Sequence, residues 1–325
     1  MNVHQHFLSG QTCNVGGFEI SPEAITQFAG EYDPQAHHLD EIAAARSPLQ
    51  GLAASGWQTC ILTMHQVERY FSDLSLHTAG LTIEDIRWLQ PARPGDFMLI
   101  KLMWGEGCRW VSCRNQGGRM ATVTVCTSSG ALVLRISCSI LLSSNPAGEV
   151  LTPGCADLNR RRSRVQRRPG GHLVRYFEDV QLGDEIVLGS CCFTSSAMRA
   201  YTQILGKGPN AAAVRDRGNA VDSWHIIAMW TRLIVDYYHT EADWLALNQR
   251  PVPLLGPAAG TRNLSWCASV YEGERITFNS WVEHKVGAGT SKDWGMLVVG
   301  AEGVNSSGRT VVSFYPQFLL QKRPQ

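Results

Sequence analysis

Long apolar runs, paired cysteines and a charge bias are all missing from this chain of 325 residues. No apolar stretch reaches the roughly 18 to 20 residues of a membrane helix, so no membrane span is expected. The N-terminus, MNVHQHFLSGQTCNVGG, has neither the basic leader nor the apolar segment of a secretory signal. Lysine and arginine total 29 against 28 aspartate and glutamate, a formal net charge of +1. A surface so balanced offers no field to attract a polyanion, which argues against nucleic acid as the main partner. The ten cysteines, at 13, 60, 108, 113, 126, 138, 155, 191, 192 and 267, form no CxxC pair and no compact disulfide spacing. They read as reduced thiols, and Cys191-Cys192, with no base nearby, as buried ones. The expectation is a soluble, intracellular, cytoplasmic protein.

What is present is a repeat. The length suits two domains of ordinary size or one large one. The segment NPAGEVLTPGCADLNRRRSRVQRRPGG, residues 145 to 171, is rich in Gly, Pro and Arg and reads as an exposed linker. Its arginines could meet a phosphate-bearing ligand, but a solvated basic loop is the simpler reading. Either side of it the same plan recurs: FEISPEAITQFAGEY, where Ser21 caps and Pro22 starts a helix, matches FTSSAMRAYTQILG. GLAASGWQTCILTMHQV matches GNAVDSWHIIAMWTRLI with Trp57 and Trp224 in register, both segments apolar on most faces and so predicted as buried helices. IRWLQPARPGD matches LSWCASVYEGE, setting Trp88 against Trp266 and Gly95 against Gly273. Alternating hairpins around an SSG turn close each half. A curved antiparallel sheet around one apolar helix satisfies this order twice. The boundaries fall at 1–145, a linker over 146–172, and 173–325.

The densest polar cluster is GEYDPQAHHLDE, residues 30 to 41. Pro34 disfavours a helical Asp33, so the preceding helix is predicted to end there and the acid and histidines to sit on a loop. A metal site made of His37, His38, Asp33 and Asp40 would need a further ligand, and no HxH or HExxH pattern supplies one. His65, His225 and His284 show no acidic partner at a recognisable spacing and read as core or surface residues.

DPQAHHLD resembles the hydratase motif of the MaoC-like dehydratases, or R-specific enoyl-CoA hydratases: an Asp, a His five positions on, an Asn or Gln between, and an acidic residue after. Asp33, Gln35, His38 and Asp40 fill those places, with Ala36 where proline is common and His37 where an apolar residue is usual. GLAASGWQT resembles the segment opening the family's central helix, with Ser55 in place of a frequent His and Gly56 matching the glycine whose amide faces the thioester carbonyl. The resemblance covers most of the chain. It implies an α+β double hotdog fold, in which each of two tandem units curves an antiparallel sheet around a long buried helix.

The same resemblance implies a hydro-lyase interconverting a trans-2-enoyl thioester and a 3-hydroxyacyl thioester, with no cofactor. Asp33 and His38 would be catalytic, Gly56 the oxyanion donor, and Gln35, His37 and Ser55 would bind substrate. Acid and imidazole can share the proton traffic of one water, and a helix N-terminal amide is worth roughly 3 to 4 kcal/mol to a developing oxyanion. In the second half Gly206 falls opposite Asp33, Ala211 opposite His38 and Ser223 opposite Gly56. One active site per chain is therefore expected, the second half shaping the acyl pocket. The substrate would be an acyl-CoA; a carrier-protein-bound intermediate and a non-catalytic thioester-binding subunit are the other readings. A double hotdog chain is already a pseudo-dimer, so it would stand alone or pair again as a homodimer.

Overall fold

The computed structural model describes residues 7–109, 117–144, 165–206, 219–287 and 291–324. The first half runs β1 (Thr12–Glu19), α1 (Pro22–Tyr32), α2 (Ala36–Leu39), α3 (Glu41–Arg46), α4 (Gly56–Asp73), β2 (His77–Trp88), β3 (Phe97–Arg109), β4 (Gly117–Thr127) and β5 (Leu132–Ser143). The second runs β6 (Arg168–Pro169), β7 (Asp184–Cys192), α5 (Ser195–Leu205), α6 (Ser223–Leu247), β8 (Leu255–Trp266), β9 (Arg275–Val286), β10 (Trp294–Asn305) and β11 (Thr310–Gln321).

The strands make one sheet in the order β1-β3-β4-β5-β2-β8-β11-β10-β9-β7-β6. Apart from the two-residue β6 at one edge, the two halves mirror each other about the antiparallel β2–β8 seam, which runs from Thr82 opposite Ser265 to Arg87 opposite Gly260. This is the α+β double hotdog that the repeat and the resemblance imply.

The landmarks match at the level of single bonds. Ser21 Oγ accepts from Ala24 N at 3.1 Å and Thr194 Oγ1 from Ala197 N at 3.2 Å, so α1 and α5 are capped alike. Trp57 meets Trp88 edge-on at 5.1 Å and Trp224 meets Trp266 edge-on at 4.8 Å. Trp88 Nε1 donates to Gly56 O at 2.8 Å, and Trp266 Nε1 to Ser223 O at 2.9 Å. Each indole ties the first turn of a central helix to the strand beside it. Gly95 and Gly273 take φ 82° and 83° in the turn that follows, a conformation that suits glycine.

Three expectations change. α4 is buried along most of its length, but α6 is buried only as far as Val235, beyond which Trp244 and Leu247 stand exposed. Within the expected linker, residues 145–164 lie outside the described residues, and Arg167 is not a freely solvated cation. Its guanidinium stacks 3.6 Å above the Trp281 ring and pairs with Glu302 and Glu185. Among the described residues seven cysteines, Cys13, Cys60, Cys126, Cys138, Cys191, Cys192 and Cys267, are free thiols. Cys191 and Cys192, expected to be buried, are only half-buried, on the edge-side strand β7, and partial burial pushes the Cys191 thiol up to about 12. No helix of the described residues is long and apolar enough to cross a membrane.

Candidate active site

α1 ends as Pro34 requires: Tyr32 is its last residue and Asp33 caps it at φ −151°, ψ 65°. The next segment departs from expectation. Instead of a loop, residues 36–39 form the one-turn helix α2, and Asp40 starts α3 by accepting from Ala43 N through Oδ1 at 2.7 Å. That turn brings His38 back over Asp33, closing five residues of sequence to 3.5 Å between His38 Nε2 and Asp33 Oδ2.

Both side chains are buried, at 5% and 4% exposure. Asp33 Oδ1 accepts from Gln35 Nε2 at 2.8 Å and Oδ2 accepts from Ser55 Oγ at 2.6 Å. His38 Nδ1 lies 2.7 Å from Ala53 O. A carbonyl can only accept, so in the neutral ring Nδ1 carries the proton and Nε2, towards Asp33, does not. Burial, then the neighbouring His38, hold His37 down at about 4, against a smaller opposing pull from Asp33. His37 is thus an uncharged ring at neutral pH, packed edge-on to His38 at 4.2 Å.

Gly56 is the first residue of α4, where a backbone amide has no acceptor within its own helix. Its missing side chain is a packing requirement too: a Cβ there would come within 2.8 Å of the Trp88 ring. Asp33, Gln35, His37, His38, Ser55 and Gly56 all line one cavity of about 320 Å³. The far wall comes from the second half, through Trp230, Thr231 and Ile234 of α6, Leu255 and Pro257 of β8 and Phe318 of β11. These wall residues carried no motif and were not singled out from sequence.

The second half also reaches the site through Arg232. It donates to the carbonyls of Gly30 and Glu31 at 3.2 and 3.1 Å, at the end of α1 just before Asp33. A cation there satisfies terminal carbonyls and complements the helix dipole.

At the equivalent place in the second half, Gly206 caps α5 as Asp33 caps α1, and Asp222 caps α6 as Ser55 precedes α4. Ala211 lies outside the described residues. His65, expected to lack an acidic partner, has one: its Nε2 sits 3.1 Å from Asp222 Oδ2, and the partners are 157 residues apart in sequence. His225 is a core residue as expected, stacked on Tyr201 at 4.2 Å.

No family model matches the chain. The uncharacterized protein YdeM of Bacillus subtilis (strain 168) is 30% identical over 101 residues, which cover 30% of this chain and 70% of that protein. A MaoC domain protein dehydratase from Chloroflexus aurantiacus J-10-fl superposes with a TM-score of 0.68 at 15% identity, covering 100% of this chain and 99% of that one. A Mycobacterium tuberculosis protein described as having a double hotdog fold gives 0.63 at 14%, covering 97% of each chain. Both likenesses are of fold.

Proposed function

The chain belongs to one family with the Bacillus subtilis protein YdeM and has the double hotdog fold of the MaoC-like dehydratases, and from that premise we propose that it is a hydro-lyase interconverting a trans-2-enoyl thioester and a 3-hydroxyacyl thioester. The observation that carries this reading is the convergence of Asp33 and His38 to 3.5 Å on the wall of a largely apolar cavity, beside the first amide of α4.

A water between Asp33 Oδ2 and His38 Nε2 would meet two acceptors and could donate one O–H to each, leaving its lone pairs for the substrate. As its oxygen bonds to the β-carbon, the π electrons of the alkene move onto the thioester oxygen. The Gly56 amide, at the positive end of α4, holds that charge. Nε2 takes the proton from water, and the imidazolium formed is stabilised by the Asp33 carboxylate. The same proton then passes to the α-carbon as the enolate collapses, so H and OH add across the double bond. Elimination runs the same steps in reverse. Gln35 and Ser55 hold Asp33 through its two oxygens, while His37 presents an uncharged polar face to the substrate. The second half supplies the apolar wall for the acyl chain, and the unit boundaries follow the repeat.

The test is the fall in enoyl-thioester absorbance with crotonyl-CoA. Wild-type turnover is expected, with losses of roughly 10²-fold or more in Asp33→Asn and in His38→Ala. Turnover untouched by both substitutions overturns the residue roles. No turnover across short, long and branched enoyl-CoAs overturns the acyl-CoA assignment. His37→Phe is expected to alter preference among acyl groups more than rate with the best one.

A further inference from the structure

We infer that Arg93 is a positioning residue for His38, holding the loop whose Ala53 carbonyl fixes the tautomer of that ring. The inference rests on the hydratase reading and extends it to a residue outside the cavity wall.

The loop between α3 and α4 borders the site, since Leu49, Ala54 and Ser55 line the cavity and Ala53 O receives His38 Nδ1. It has no ladder of its own, so its carbonyls need partners from elsewhere. Arg93 supplies them. Its Nη1 donates to Gly51 O at 2.6 Å and to Leu52 O at 3.1 Å, and its Nη2 donates to Leu49 O. Next to it, Ala54 N donates to Ala92 O at 2.9 Å. Ala53 is therefore pinned on both sides, and its carbonyl direction is set by neighbours that cannot move independently. Gly51 takes φ 141° to pass under the guanidinium, where a Cβ would stand 3.2 Å from Nη1.

Arg93 is itself anchored. Its backbone N donates to Asp96 Oδ2 at 2.8 Å, and Asp96 N returns to Arg93 O at 3.1 Å, closing the turn around Gly95. The second half builds the same turn without the arginine. Matching Gly95 to Gly273 places Tyr271 at this position, where its N donates to Glu274 Oε1 at 3.1 Å and its side chain lies exposed. The turn has no need of a guanidinium; only the half that carries the Asp–His pair has one.

Two acceptors, Asp33 Oδ2 and Ala53 O, compete for the proton of the His38 ring. Asp33 Oδ2 stands 3.5 Å from Nε2, and a carboxylate favours a charge-assisted bond from an Nε2–H. That tautomer would leave no basic nitrogen towards the substrate water. Ala53 O opposes it by accepting from Nδ1. Without Arg93, three carbonyls lose their donors, the loop relaxes, Ala53 O drifts from the ring, and the Nε2–H tautomer gains. A planar fork of donors can span three carbonyls where the point charge of lysine cannot.

The experiment uses the full chain with ¹⁵N-labelled histidine. Wild type is expected to show His38 with its proton on Nδ1. In Arg93→Ala the Nε2–H form should appear, with kcat on crotonyl-CoA falling roughly tenfold to a hundredfold. KM should move less than about twofold, the mark of a lost transition-state interaction, and added guanidinium should restore part of the rate. Arg93→Lys is expected to change in the same direction by less, and it carries the test where Arg93→Ala does not fold. A wild-type His38 tautomer in the folded variant overturns the inference, as does an unchanged kcat. If wild type turns over no enoyl thioester, the hydratase reading fails, and the tautomer still decides whether Arg93 sets the ring.

Discussion

The two halves share strand order, turn glycines and the tryptophan pair that locks each central helix, yet they differ at the helix ends that face the cavity, where among the described residues only the first half sets an acid beside an imidazole. Where the first half ends a helix with Asp33, the second has Gly206. Where the first begins its central helix with Ser55 and Gly56, the second has Asp222 and Ser223. Scaffold and cavity lining are therefore separable here. The repeat is maintained by indole contacts and backbone geometry, and the site is added at helix ends, where backbone groups are free and side chains turn inward. The second half is not passive. Arg232 caps the helix that ends in Asp33, and α6 walls the cavity.

The largest effect is expected where the first half is made to copy the second. Asp33→Gly is expected to lower kcat on crotonyl-CoA by at least about 10²-fold. Ser55 and Gln35 lose their acceptor with the carboxylate, so calorimetric stability should fall by about 1 to 3 kcal/mol.

A second contrast is acid sensitivity. The register that sets Ser223 on Gly56 sets His225 on Gln58, so a titrating group stands in one half where an amide stands in the other. Burial holds His225 down at about 4 from an ordinary value of 6.5, with Asp222 opposing. Between those values the unfolded chain binds the proton and the folded chain does not, so stability rises with pH across that window and is lost on acidification. At about 1.4 kcal/mol per unit the cost is on the order of 3 kcal/mol by pH 4. His37 is depressed into the same window. The His225 share is read as the difference between wild type and His225→Gln in denaturant titrations from pH 7 to pH 4, and the variant should be the flatter.

Exchange at the first helical position sharpens the packing side. Gly56→Ser places a Cβ against Trp88 and is expected to cost about 1 to 3 kcal/mol as overpacking, with kcat falling. Ser223→Gly should cost only about 0.5 kcal/mol of backbone freedom and leave kcat unchanged. The finest contrast uses the indoles. Trp88→Phe and Trp266→Phe each remove one N–H bond to a helix carbonyl, worth about 1 kcal/mol. The melting temperatures should drop by similar amounts, while only Trp88→Phe changes kcat.

Local signals carried the reading of the sequence a long way. Ser21-Pro22, the Asp33-Pro34 break and the glycines of the turns act through the backbone within a few residues, so they are visible without a structure. The repeat extended that range, because Trp57 and Trp88 could be checked against Trp224 and Trp266. Asp33 and His38 were readable as a pair through the family motif they resemble, though the one-turn helix that joins them was not, since four residues carry too little periodicity to show it. Arg93, Arg232 and the His65–Asp222 pair were out of reach. Their partners lie 41 or more residues away in sequence, and a guanidinium bound to main-chain carbonyls leaves no mark on the identity of the residues it holds.

The seam between β2 and β8 is a ladder of main-chain bonds from Thr82 to Arg87 against Gly260 to Ser265. A joint of that kind is indifferent to most side chains placed on it. The cavity straddles this seam, with Asp33 and His38 on one side and Ile234 and Phe318 on the other, so the two walls are joined by backbone bonds and not by the side chains that line them. The molecule is in this sense a vice fixed at one joint, with the acid and imidazole on one jaw and an apolar face on the other.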